Sequence, residues 1–172
     1  LGLSAVQEQA IKDSIEVAGG IVLLSAPKGQ GLTSLAYGVI RTHDAFLTHI
    51  LTIERAPDQD LEGITQNKLT PGASPAEELK LVSWVCSQEP AVIMMTSLEE
   101  PASAKELIKF AAEGRKVYVG VRAGSAMEAV NVWRKWVGDD ARAMKHLMMS
   151  VSSRVLRKLC VNCKVAVTPA PE

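Results

Sequence analysis

No apolar run in this chain approaches the roughly 20 residues that a helix needs to cross a bilayer. The longest, such as Ala91 to Met95 and Val117 to Val121, have the length of strands. A water-soluble chain is expected. Neither sign of charge dominates, because nineteen Lys and Arg balance nineteen Asp and Glu, so no overall field draws the chain to nucleic acid or to an anionic membrane. Nucleic acid is not an expected partner. Cysteine is scarce and odd in number, at three, and no signal-peptide pattern is present, which argues against an extracellular disulfide framework and for the reducing cytosol. Disorder and collagen are excluded by a composition that is 47% hydrophobic and only 22% charged. Leu1 is not an initiator Met, and the last residues are Thr168-Pro-Ala-Pro-Glu172, so both ends are expected to continue into a longer polypeptide.

What the sequence does have is strand-length apolar runs alternating with amphipathic stretches of helix length, the α/β pattern. Ser4 with Gln7 forms a capping box ahead of a helix whose apolar face is Val6, Ala10, Ile11 and Ile15, ended by Gly19-Gly20. Strands are predicted over Ile21 to Ser25, Phe46 to Glu54, Ala91 to Met95 and Lys116 to Val121, with a short extra strand at Gly63 to Asn67. Helices are predicted over Thr33 to Thr42, behind the Ser74-Pro75-Ala76-Glu77 cap with Leu81, Trp84 and Val85 on its face, and along Ala104, Leu107, Ile108 and Ala111. Further helices follow along Ala126, Val130, Trp133 and Val137, and across Ala141 to Leu159. Parallel strands with helices on both faces result, and such sheets bind ligands beyond the carboxyl ends of their strands.

The turn Ala26-Pro27-Lys28-Gly29-Gln30-Gly31-Leu32-Thr33 sits between a strand and a helix, where phosphate loops occur. A Walker A loop reads G-x-x-x-x-G-K-[ST], its amides cradling phosphates, its Lys charging them and its hydroxyl holding magnesium. Gly29, Gly31 and Thr33 fit that pattern, but Ala26 replaces the first glycine and Leu32 the lysine. A charge-assisted hydrogen bond is worth about 1.5–3 kcal/mol, so losing that lysine should weaken nucleotide binding by roughly one to two decades. The plain alternative is a tight turn that uses glycine for its backbone freedom. Cys160-Val-Asn-Cys163 has the spacing of half a zinc site, or is a pair of ordinary thiols. Cys86 is expected to be core packing, and His43, His49 and His146 show no ligand spacing. Trp133, Trp136, Met144, Met148 and Met149 make an apolar stretch that reads as core or as a subunit interface.

Several segments together resemble a known family, the hexameric motor ATPases of type II secretion and type IV pilus assembly. Gly20 to Gly31 resembles the lead-in to its Walker A loop, Ile50-Leu-Thr-Ile-Glu54 the strand that ends in its Asp-box, and Gly63-Ile-Thr-Gln66 the segment after it. Glu89-Pro-Ala-Val-Ile-Met94 resembles its Walker B strand, and Arg154 to Lys164 the arginine-rich helix entering its cysteine motif. The resemblance implies a RecA-like P-loop NTPase fold over residues 1–159, with 160–172 the start of a cysteine-bearing segment that is cut short. It implies that Lys28, Gly29, Gln30, Gly31, Leu32, Thr33 and Ser34 are the nucleotide-contacting positions, with ATP and magnesium as weakened ligands and zinc at Cys160 and Cys163. Its implied partners are other motor subunits in a ring and inner-membrane platform proteins, with a cytoplasmic location peripheral to the membrane.

Carrying the chemistry across one residue at a time gives a different expectation from carrying the fold. Glu54 is retained, but the family's Asp-Pro after it is Arg55-Ala56. The Walker B glutamate is Ser97, which offers no base of suitable pKa for activating water, and the His-box histidine is Arg122. The expectation is a pseudo-ATPase that scaffolds or regulates a secretion or pilus machine. The alternative is a hydrolysing motor in which Glu99 or Glu100 reaches the metal region, Arg122 becomes a phosphate ligand and Lys28 replaces the missing lysine.

Overall fold

A computed structural model describes residues 2–165. Leu1 and residues 166–172, including most of the predicted terminal segment, lie outside the described residues. The elements run α1 (Ala5–Glu16), β1 (Gly20–Ala26), α2 (Leu32–Ile40), β2 (Ile50–Glu54), β3 (Thr65–Lys68), α3 (Pro75–Ser87), β4 (Val92–Met95), α4 (Pro101–Ala112), β5 (Lys116–Arg122), α5 (Ala126–Val137), α6 (Asp140–Lys145) and β6 (Leu147–Ser152). The six strands form one sheet in the order β3-β2-β4-β5-β1-β6, and every pairing is parallel. This is the expected α/β, P-loop-type architecture.

Alternation along the strands divides the core in two, because successive side chains point to opposite faces of a sheet. Ile21, Leu23, Ile93, Met95, Val117 and Val119 meet Val82 and Val85 of α3, Leu107 and Ile108 of α4, and Trp133 of α5 on one face. Val22, Leu24, Met94 and Tyr118 meet Ile11 of α1 and Leu35, Tyr37 and Ile40 of α2 on the other. Both capping boxes form as the sequence predicts, Ser4 with Gln7 and Ser74 with Glu77. At the other end of α1, buried Lys116 donates from Nζ to the carbonyls of Ser14 and Val17, each at 2.6 Å. It supplies the last carbonyls of α1 with the donors they lack within the helix.

Four expectations are corrected. β2 starts at Ile50 rather than Phe46, because Oδ1 of Asp44 accepts the amides of Phe46 and Leu47 and folds them into a turn that leaves both side chains exposed. Ala141 to Leu159 is not helical throughout: α6 stops at Lys145, and Leu147–Ser152 is instead captured as a parallel strand by the free side of β1. Backbone hydrogen bonds from the sheet outweigh the helical preference of Leu and Met there. Arg154 to Cys160, expected as an arginine-rich helix, has no regular structure. Two apolar faces are also turned differently, since Val6 and Ala10 of α1 and about half of Trp84 of α3 are exposed, while Glu78, Val82 and Val85 go inward.

Smaller details refine the picture. The short strand after β2 is Thr65–Lys68 rather than Gly63 to Asn67. Trp133 is fully buried and donates from Nε1 to the carbonyl of Ala143, so it is core and not interface. Cys86 packs against the same core, and burial pushes its thiol up to about 12. His43 is satisfied by Tyr118, Nε2 to Oη 2.7 Å. No helix among the described residues is long and apolar enough to cross a membrane.

Candidate functional site

The carboxyl ends of β1, β2, β4 and β5 face one edge of the sheet, and the turns leaving them enclose a cavity of about 370 Å³. The glycine loop forms one wall. Gly29 and Gly31 have φ of 73° and 81°, a left-handed conformation that costs a residue with Cβ but not glycine. Gly31 caps α2, whose first amides carry the partial positive charge of a helix N-terminus and suit an anion. The segment after β6 braces the loop from outside: Ser153 N donates to the carbonyl of Ser25 at 2.9 Å and Val155 N to Oε1 of Gln30 at 3.1 Å.

Gly29, Gly31, Leu32, Thr33 and Ser34 line the cavity, as the sequence predicts for a phosphate loop, while Lys28 and Gln30 do not. Lys28 is exposed, and Gln30 is turned to Val155. Leu32, in the lysine position, is only 6% exposed and packs with Leu35 and Ala36 in the core beneath α2. The site therefore has no cation on the loop that faces the cavity.

The retained Glu54 does not line the cavity. It is 1% exposed and accepts hydrogen bonds from Tyr37 Oη, from Thr52 Oγ1 at 2.5 Å and from Gln66 Nε2 at 2.9 Å. Burial, with the carboxylate of Glu54 alongside, pushes the Tyr37 phenol up to about 12. This network ties α2, β2 and β3 together and holds Glu54 in the core, away from the cavity lining.

Beyond β2 the cavity is lined by Arg55, Ala56 and Asp58, beyond β4 by Thr96 and Ser97, and at the end of β5 by Arg122. Ser97 is 8% exposed, and its Oγ has no hydrogen-bond partner. Arg55 is held by two carboxylates, Glu78 Oε2 at 2.6 Å and Glu99 Oε2 at 3.1 Å. Glu99 is thus occupied by Arg55, and Glu100 precedes α4 as its N-cap, donating its amide to Glu78 Oε1. Neither glutamate lines the cavity, so the sequence expectation that one of them reaches a metal region has no support in the geometry.

Arg55, Asp58 and Thr96 are site residues that motif reading missed. Arg55 was visible only as a departure from an Asp-box, and Asp58 lay in a polar excursion with no pattern of its own. The available signal was positional, since each stands within four residues of the carboxyl end of a strand.

Glu78 gives the site a pH dependence. Burial raises its carboxyl above the ordinary value of 4.5, against the opposing pull of Arg55 and the amide of Glu100. A raised folded value means that stabilisation from this group is complete below pH 4.5 and is lost as pH rises through the folded value. Urea unfolding of the wild type and Glu78→Gln between pH 4 and 8 should therefore show the wild type losing stability relative to the variant as pH rises. The opposite slope would mean that the Arg55 pair outweighs burial.

Cys160 and Cys163 are exposed, and hydrogen bonds from the backbone of Asn162 and Cys163 lower the Cys160 thiol below its usual range. No group of three or more His, Cys, Asp or Glu that could hold a metal occurs among the described residues. The half-site stands without partners there.

Comparison with known proteins agrees with this reading of the sheet. The putative type II secretion system protein E of Escherichia coli (strain K12) is 24% identical over all 172 residues, which span 35% of its length. The type IV pilus assembly ATPase PilB of Thermus thermophilus is also 24% identical over 172 residues, 19% of its length. The chain thus spans about a third of the first relative and less of the second. Among solved structures, the Legionella pneumophila ATPase DotB superposes with a TM-score of 0.70 at 17% identity, covering 85% of this chain and 42% of that one. The model of the type II/IV secretion system protein family matches residues 1–171, and with a parallel sheet whose glycine loop and carboxyl-edge cavity fit that fold, this chain belongs to that family of secretion and pilus motor domains.

Proposed function

We propose that this domain is a noncatalytic member of its family, a motor-shaped subunit that scaffolds or regulates a secretion or pilus machine. The observation that carries this reading is the cavity wall: an aliphatic side chain buried at position 32 and a serine at position 97, where phosphoryl transfer needs a cation and an acid. Phosphoryl transfer depends almost wholly on positioned charge, and one stabilising cation alone is worth about 10³–10⁵ in rate. Losing charge at both positions leaves turnover near background.

Magnesium and ATP are the groups that the fold implies. The loop amides and the N-terminus of α2 fit a phosphate chain. For a resident magnesium the lining offers, among the described residues, the single carboxylate of Asp58 with the Thr33 hydroxyl, while Glu54 is spent in the core and Ser97 brings no charge. Magnesium is ordinarily held by one or two carboxylates together with substrate phosphates.

The partners that suit such a subunit are active motor subunits in a ring and inner-membrane platform proteins, at the cytoplasmic side of the membrane. The second reading, a hydrolysing motor, is favoured by one observation, that Thr33 and Asp58 line the same cavity. Phosphate release from magnesium ATP decides between them. Release at the level of the protein-free blank is expected, whereas magnesium-dependent release abolished by Thr33→Ala would establish the motor.

A further inference from the structure

The segment after β6 is anchored at its root and exposed beyond it. Ser153 and Val155 donate their amides to Ser25 and Gln30, and Arg154 donates from Nη2 to the carbonyl of Gly124 at 3.0 Å. From Arg154 to Val165 every residue is exposed. Near the end of this stretch the amide of Lys164 donates to the carbonyl of Cys160 at 3.1 Å. Such a bond closes a single helical turn, in which residues three apart are neighbours. Those residues here are Cys160 and Cys163.

The two thiols are already engaged with one another. The side chain of Cys163 and the amides of Asn162 and Cys163 hydrogen-bond to the Cys160 sulfur. A disulfide needs Cα atoms about 4.4–6.8 Å apart, a span that one turn supplies without moving the backbone far. Structural zinc fills four ligand positions, whereas no group of three or more His, Cys, Asp or Glu suited to a metal occurs among the described residues. The surroundings carry one sign of charge. Arg154, Arg157, Lys158 and Lys164 flank the pair, no Asp or Glu lies between Ser153 and Val165, and none of these cations forms an ion pair among the described residues. Reactive cysteines sit in exposed, electropositive settings of this kind.

We propose that Cys160 and Cys163 are a reversible thiol–disulfide exchange site that reacts with anionic low-molecular-weight disulfides such as oxidised glutathione. One thiolate of the pair attacks a sulfur of the small disulfide, whose S–S bond breaks and releases one thiolate. The second cysteine, as its thiolate, then attacks the mixed disulfide and expels the other. The protein dithiol loses two electrons and two protons, and one disulfide becomes two thiols. This site is separate from the glycine-loop cavity, and nothing in it depends on whether nucleotide is cleaved.

The test treats the 172-residue chain with oxidised glutathione and, separately, with cystamine, a cationic disulfide, and follows intact mass and peptide maps. An internal Cys160–Cys163 disulfide is expected, reversed by reduced glutathione, with Cys86 left as a thiol because it packs against the core. Cys160→Ser and Cys163→Ser should each stop at a mixed disulfide carrying one glutathione. At low ionic strength oxidised glutathione should react about tenfold faster than cystamine, and the difference should shrink in about 1 M salt. Paired Arg157→Glu and Lys158→Glu substitutions, at exposed positions outside any helix or strand, should remove most of that preference and leave the thermal melt unchanged.

A wild-type product that stays at the mixed disulfide, or a bond that involves Cys86 or a second chain, would overturn the exchange pair. Protection of both thiols by an equimolar zinc salt would overturn it too, by assigning them to a metal. Equal rates with the two disulfides at low salt would overturn the anionic substrate class.

Discussion

Replacing Gly120 by alanine should abolish stable folding or cost about 3 kcal/mol or more, the upper end of the range for overpacking a core. A Cβ at this position would lie 2.1 Å from the carbonyl oxygen of Thr96 and 2.6 Å from its carbonyl carbon. Both atoms are backbone and cannot swing aside as a side chain would. They are also held in place, since Thr96 N donates to the carbonyl of Ile53 at 3.1 Å and Leu98 N to that of Gly120 at 2.9 Å. The close approach of β5 to the end of β4 lets Thr96 and Ser97 turn into the cavity. Small domains have only about 5–15 kcal/mol of total stability, so the loss would show as a large fall in the urea midpoint or as insoluble protein. A midpoint within the error of the wild type would mean that the two strands have room the geometry does not show.

Glu54→Ala is the second change with a large expected effect, and it separates a structural carboxylate from a catalytic one. The substitution strands the hydroxyls of Tyr37 and Thr52 and one donor of Gln66 without their common acceptor. Each buried polar group left unsatisfied costs about 1–3 kcal/mol, so a loss of about 3 kcal/mol or more is expected. Tyr37→Phe removes only one donor and leaves the carboxylate its other two, so its cost should be about 1–2 kcal/mol. Urea unfolding of the two variants measures both. Equal and small effects would show that Glu54 is not the centre of the network, and would return it to the list of residues available to a ligand.

Gly120 and Glu54 also show where sequence reading stops. Gly120 sits within an apolar run and looks like any strand glycine; its necessity comes from the carbonyl of Thr96, 24 positions away in the chain and adjacent only across the sheet. Glu54 matched a motif and invited a catalytic role. Its actual partners, Tyr37 on α2 and Gln66 on β3, come from elements that nothing in the local pattern joins to it. Asp58 was overlooked for the converse reason, a site residue without a motif, brought to the cavity by the direction in which β2 ends.

The residues by themselves determined the alternation of strands and helices, the two capping boxes, the glycine loop and the loss of its lysine and of the acid at position 97. Those properties depend on side-chain chemistry and on periodicity within a few turns of chain, where neighbours in sequence are neighbours in space. Only the tertiary structure decided that Leu147–Ser152 is a strand, because a free sheet edge overcame local helical preference. It alone placed Lys28 outside the cavity and Arg122 within it, because whether a charge faces a ligand is set by the register of β5 against β1. Long-range strand pairing fixes that register, and no local pattern of residues encodes it.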